Sequence, residues 1–513
     1  MRLVRLMTVV ASVALSASRG LAQVSCADPD NLCTGDPCTI TTVAVQSPCV
    51  VDFGARDLII AGTIDVPDGG TLDFTAKTIL QQGPIDGRHV GNGVGNGAAV
   101  VLESTVGDIE LRGEIDATGT AASGSIDVTA AGNLLVKDNL NAKTSGANVT
   151  ATGGTITLTA GGTIETDQTA VVDAQGGDTT AGGTISIAGV GNVVVKGRVR
   201  AEGLPGGTIT IGSTAGSVTA ENHLRVGSPL NAGTINVGAA SDVTLREQIL
   251  ASGSDGDGGD VLIATPNGNV TIEDKVRVGG ETAGGSFMVS APSGTVTISA
   301  RIQARAGIGG LVDVSAATIV PKQDIDARGR TGDGGTVELT ATTAVDLVKA
   351  DIDASGKVNG GAITLAGGPV SGDVTVDSSK LRVKGSSGTG GLLTVSAAGG
   401  AVTIGAATVE LTAKTAGGQA TIDGVGITVG QKTRFLGRDG GEVRFAQSGA
   451  GTFSLAGAYD VRSGGVVEAL APSGSLTASG KATTGGGCVG MSAGGTLDTT
   501  LLNADVAITP SCP

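Results

Sequence analysis

Gly207-Thr208-Ile209-Thr210-Ile211, followed by Gly233-Thr234-Ile235-Asn236-Val237 and then Gly259-Asp260-Val261-Leu262-Ile263, decides how the whole chain is read. In each copy a glycine precedes a segment whose second and fourth positions are apolar and whose first and third are mostly polar. Alternation of period two marks a strand with one buried face. The unit extends outward from these copies. Upstream anchors are Gly124, Gly154 and Gly183; downstream ones are Gly285, Gly310, Gly335, Gly361, Gly391, Gly418, Gly441, Gly465 and Gly487. A spacing of about 26 residues sustained over this length is a solenoid period.

Two further short strands follow in most units, as in Asn269-Val270-Thr271-Ile272 and then Lys275-Val276-Arg277-Val278. Three strands per coil predict a triangular cross-section, with Gly-Gly, Asp-Gly and Ser-Gly pairs supplying positive-φ corners. The predicted fold class is all-β: a single-stranded right-handed parallel β-helix (β-solenoid) of about 17 coils, forming a rod roughly 80 Å long. Composition agrees. Trp is absent and there are one Tyr and six Phe against 88 Gly in 513 residues, so Ala, Val, Ile, Leu and Thr must fill a narrow, repeated core.

Residues 1–22 read as an export signal, with Arg2 and Arg5, an apolar stretch from Leu6 to Ala17, and Gly20-Leu21-Ala22 at the cleavage end. The expected organisation continues with a Cys-rich N-terminal cap over 23–57, the β-helix over 58–487, and a C-terminal cap and tail over 488–513. The apolar stretch is too short to span a bilayer and no longer one follows, so no integral membrane segment is expected. The predicted location is secreted, extracellular or at the cell surface, with the periplasm as a further compartment. A formal net charge of −15 disfavours a nucleic-acid partner and opposes binding to anionic lipid or sulfated glycans. In an exported chain the six cysteines read as disulfides. Cys488 pairs with Cys512 if the two clusters stay separate, while Cys26, Cys33, Cys38 and Cys49 leave three connectivities open. A metal site at those four is the competing reading. The tail from Leu501 is expected to cross the outer face to reach Cys488.

Candidate chemistry is sparse. The stretch from Gln81 to Gly97 gathers Asp86, Arg88, His89, Asn92 and Asn96. Asp86, Arg88 and His89 together are the candidates for acid–base catalysis, against the plainer reading of a polar loop closing an irregular coil. His223 reads as an ordinary exposed residue. The polar column of the third strand runs Asp116, Asn141, Asp173, Arg200, Arg225, Leu250, Arg277, Gln303, Asp326, Asp353, Arg382, Glu410, Arg434 and Arg462. Mixed signs suggest a solvated face with ladder pairing, although Asp326 and Asp353 repel unless Arg382 or a cation intervenes, which makes them calcium candidates. Asp255-Gly256-Asp257-Gly258-Gly259-Asp260 resembles a calcium-binding nonapeptide turn, so Asp255, Asp257 and Asp260 are further calcium candidates; the competing reading is a polar glycine turn. No other cofactor is expected. Outward threonines such as Thr155, Thr157, Thr184, Thr208, Thr210 and Thr234 raise an ice-binding array, which breaks at Asp260 and Leu262.

The Gly-[Thr/Ser]-[Ile/Val]-x-[Ile/Val]-x-Ala unit, repeated from about Gly97 to Ala493, resembles the repeats of filamentous-haemagglutinin-like and other exported bacterial β-helix proteins. The resemblance implies attachment to a surface, matrix or polysaccharide ligand through a long rod, although the chain shows no pattern of a C-terminal membrane β-barrel, a sorting signal or an extended N-terminal secretion domain. The functional expectation is a structural or adhesin-like protein without catalytic activity. The alternative is a carbohydrate-active β-helix enzyme, a polysaccharide lyase or hydrolase. Absent Trp and the single Tyr459 leave little for stacking on sugar rings.

Overall fold

The computed structural model describes residues 22–89, 94–145 and 151–512. The export pattern of residues 1–21 and Asn92 of the candidate loop lie outside the described residues. The chain winds into a right-handed parallel β-helix of about 17 turns. All 51 strands of the described residues join one hydrogen-bonded sheet system in which a strand typically pairs with its equivalents one coil before and one coil after. Among the described residues helix is confined to one short 3-10 turn, Pro29–Asn31. No helix among the described residues is long and apolar enough to cross a membrane.

Register follows directly from the repeat. On the first face Ile209 pairs with Ile185 and Ile235, and Ile211 with Ile187 and Val237. Val218 stacks between Val193 and Val243 on the second face, and Leu224 between Val199 and Ile249 on the third. All twelve are buried. Each contributes about 1.5–3 kcal/mol of apolar burial, repeated coil after coil, so a one-residue slip would turn whole columns outward. From Ser286 onward the first and second strands of several coils fuse into one long strand, as in Ser286–Ile298, Leu311–Pro321 and Thr336–Val348. A register irregularity between Ala291 and Thr295 replaces the corner there, and the triangle loses one of its sharp bends.

The anchor glycines do a different job from the one expected. Among the described residues positive φ falls on glycines such as Gly35, Gly54, Gly69, Gly440 and Gly464 and on Lys349, Ser378, Asp439 and Ser463, and none of the anchors is among them. What excludes a side chain is the approach of the neighbouring coil. A Cβ on Gly233 would lie 1.8 Å from the carbonyl oxygen of Gly207, and one on Gly285 would lie 1.9 Å from that of Gly259. The corner is packed backbone on backbone.

The ends differ from the middle. Disulfides join Cys26 to Cys49, Cys33 to Cys38 and Cys488 to Cys512, which resolves the three open connectivities. Gln23–Val24 pairs with Ala44 and Val45, and Cys49 stacks on Leu72 at the foot of the first-face column. At the other end the tail does not cross the outer face. Leu497–Ala504 pairs in parallel with Ser475–Thr483, and Ile508–Thr509 with Val489 and Gly490. The tail is a further turn, because the open edge of the preceding strands offers it the same backbone ladder. All the aromatic rings except Phe287, which stacks between Val261 and Val312, gather near these ends. Phe53 meets Phe74 edge-on, while Phe435, Phe445, Phe453 and Tyr459 form one buried cluster with Phe435 stacked on Tyr459 at 5.4 Å.

Close coil contact gives a direct test. Gly233→Ala lowers thermal stability by about 1–3 kcal/mol or more through overpacking. Gly212→Ala, whose added Cβ meets nothing nearer than 3.9 Å, leaves the melting temperature nearly unchanged. Equal melting of both variants contradicts the close-approach role.

Candidate functional site

The third face carries most of the chemistry. Its strands are short, and the residue after each buried aliphatic points outward, stacking Asp65, Asp86 and Asp116 on successive coils and, further along, Arg200, Arg225, Leu250, Arg277, Gln303, Asp326, Asp353, Arg382 and Glu410. Glu410 then pairs with Leu436, and Leu436 with Asp460. Arg434 and Arg462 therefore stand two residues out of the expected column. A period of two cannot distinguish neighbouring outward positions of one strand, and their charge drew the alignment to the wrong one.

Asp86, Arg88 and His89 divide into two pairs. Arg88 Nε lies 3.2 Å from Asp86 Oδ1, and its guanidinium reaches to 3.9 Å from Asp116. His89 is bonded through Nδ1 to Asp68 Oδ2 at 2.5 Å, and its ring packs against Gly95, where a Cβ would collide with it. Burial pushes the Asp86 carboxyl above the ordinary aspartate range; Arg88 opposes the shift, and Asp116 and Asp65 add to it. His223 is partly buried rather than exposed, with Nδ1 3.9 Å from Glu247 Oε2.

The calcium candidates are distributed over separate contacts. Asp257 Oδ1 accepts the Ala283 amide at 3.1 Å and Asp260 Oδ1 accepts the Ser286 hydroxyl at 2.6 Å, both on the next coil, while Asp255 is exposed in the same turn. Asp326, only 2% exposed, receives Arg328 Nε at 2.9 Å and Arg301 at 3.0 Å. Arg328 also stands 3.7 Å from Asp353, and Arg382 stands 3.6 Å from Asp353 on the other side. Among the described residues no group of three or more His, Cys, Asp or Glu side chains converges as a metal centre. The charge between Asp326 and Asp353 is compensated by Arg328, which the sequence reading passed over. The signal was available in Asp326-Ala327-Arg328-Gly329-Arg330, Asp353-Ala354-Ser355-Gly356-Lys357 and Arg382-Val383-Lys384-Gly385-Ser386. In these the second and fourth positions after the strand's outward residue carry repeated basic or hydroxyl side chains.

Open hollows lie beside these turns. The one at Gln175, Glu202, Arg225 and Arg277 has a volume of about 520 Å³, and another lies at Arg328, Asp353, Lys357 and Arg382. The outward threonines Thr155, Thr184, Thr208 and Thr234 align on four successive coils, bounded by Ser125 and Asp260. All six phenylalanines and Tyr459 are buried, so no aromatic ring of the described residues is presented to a sugar or a base.

Two carboxylates of one column titrate in opposite directions, which sets a paired test. Burial alone raises Asp326, but hydrogen bonding and charge from Arg328, with Arg301, outweigh it and hold the carboxyl below its ordinary range. Its stabilisation is present above that range and is lost as pH falls through the folded value. Asp326→Asn costs about 1–3 kcal/mol at pH 7, and the difference from the parent closes in acid. The raised Asp86 carboxyl works the other way, its ionised form weakening the fold above the ordinary range. Asp86→Asn raises the melting temperature at pH 7, with the gain disappearing as pH falls. Melting curves from pH 3 to 7 check both signs.

No protein-family model matches the chain, and no curated protein or solved structure is similar enough to match it.

Proposed function

We propose that this protein is an exported, non-catalytic β-helical rod of the filamentous-haemagglutinin-like kind, which presents its long side to a surface, matrix or polysaccharide outside the cytoplasm. The observation that carries the reading is the regularity of the repeated coils. Strand follows strand with short turns over the 51 strands of the described residues. The buried aromatics withhold the stacking platforms used for neutral sugars. Three disulfides fit an oxidising compartment, as does the apolar leader pattern of residues 1–22.

The carbohydrate-active alternative draws on one feature, the open hollow where Asp353 stands between Arg328 and Arg382. Turnover separates the two readings. Purified protein incubated with acidic and neutral polysaccharides, with and without calcium, is expected to release neither new reducing ends nor unsaturated products. Turnover abolished by Asp353→Asn, or by Asp86→Asn with His89→Gln, sinks the scaffold and identifies the catalytic face.

A further inference from the structure

On a chain with a net charge of −15, one strip of surface is cationic. The hollows beside the third-face turns share walls. Ser252 and Arg277 belong to the first two, Arg330 to the second and third, and Lys384 and Ser386 to the third and last. They form a groove from Gln175 to Lys414 that crosses ten successive third-face strands, from Val171–Asp173 to Thr408–Glu410. Its length is roughly 40 Å at the spacing of neighbouring strands. Nine lysine and arginine side chains line it against four carboxylates. Some of these cations are held in place, as Arg225 is by Glu202 and Lys384 by Glu410. Arg277, Lys357 and Lys414 make no ion pair among the described residues.

A second observation points to a ligand. Ser355 lines the groove, is 7% exposed, and its Oγ has no hydrogen-bond partner. The backbone ladder places it in one row with two cations: the Gly329 amide donates to the Ser355 carbonyl at 2.9 Å, and the Gly356 amide to that of Lys384 at 2.9 Å. Arg328, Ser355 and Lys384 thus occupy equivalent positions on three consecutive coils. A buried hydroxyl without a partner costs free energy, and an acceptor oxygen brought in by an anion relieves it.

We infer that this groove binds a linear polyanionic polysaccharide, laid along the rod with its carboxylate or sulfate groups against the unpaired cations and the Ser355 hydroxyl. The inference rests on the scaffold reading and names the ligand class of that rod. Shape selects a thin chain, because a flat anionic membrane would meet the acidic body on either side of the strip, whereas a single polymer stays within it. Nucleic acid is disfavoured because the groove holds no aromatic ring for base stacking. Coil spacing of about 4.8 Å is also close to the rise of one pyranose unit in an extended chain, so charges recur along protein and polymer at similar intervals.

The test measures binding of full-length secreted protein to polygalacturonate, dextran sulfate, neutral dextran, single-stranded DNA and phosphatidylglycerol vesicles. Polygalacturonate or dextran sulfate is expected to bind, which of them identifying the anion, with affinity falling as salt rises. Arg277→Gln with Lys357→Gln and Lys414→Gln breaks no ion pair and is expected to weaken binding about tenfold or more. The same number of changes off the groove, Lys275→Gln with Lys322→Gln and Lys432→Gln, leaves it unchanged. Ser355→Ala weakens binding about threefold to tenfold without lowering the melting temperature. Equal loss in the off-groove variant, tighter binding of DNA or vesicles, or no polyanion binding by the folded protein overturns the groove while the inert rod stands. Cleavage of either polymer overturns the scaffold while the groove stands.

Discussion

Hydrogen bonding between successive coils governs everything else in this molecule. Parallel strands stacked at about 4.8 Å force the same position of each coil to lie over its equivalent, so a side chain is chosen for what its own column can accept. Aliphatic columns fill the interior, and glycine columns appear where backbones touch. At the turn into the second face a polar column serves as an extra rail: Asn133 Oδ1 accepts the Thr163 amide at 2.9 Å, Asp242 accepts that of Asn269 at 2.7 Å, and Asn269 accepts that of Thr295 at 2.8 Å. These side chains answer amides at the corners, where the strand ladder is interrupted.

Stacking is less forgiving of charge. Identical residues on neighbouring coils bring like charges together, and the chain meets this in two ways. Around Asp173 and Asp326 it supplies arginines from adjacent coils and turns, with Arg200 at 2.8 Å from the fully buried Asp173. Along Asp65, Asp86 and Asp116 the compensation is Arg88, and Asp86 retains a raised carboxyl. The acidic start of the third face and the basic groove farther along are two results of one geometric rule.

The sequence exposed the rule better than its exceptions. Alternation at Ile209 and Ile211, repeated at Ile235 and Val237, was enough to define the fold and the inward columns, because burial requires a fixed parity. Parity says nothing about which of two outward positions stands over its neighbour, so Arg434 and Arg462 were misplaced. Glycine spacing located the corners but not their cause, since close approach involves the coil beneath and no local signal reports it. The candidate site was the least legible. Arg328, Ser355 and Lys384 sit in turns, come together only through stacking, and belong to different repeats. The charge balance of the whole chain concealed a strip of opposite sign for the same reason.

The two outer disulfides have a mechanical meaning. Cys26–Cys49 and Cys488–Cys512 span 23 and 24 residues, close to the length of one coil. Under tension applied at the termini, a solenoid unwinds from its ends, peeling a coil at a time as each short ladder gives way. Here the segment from Cys26 to Cys49 and that from Cys488 to Cys512 are closed covalent loops that cannot lengthen beyond their own closure. Pulling transmits force past them into coils that still have neighbours on both sides, where a whole turn's hydrogen bonds must yield together.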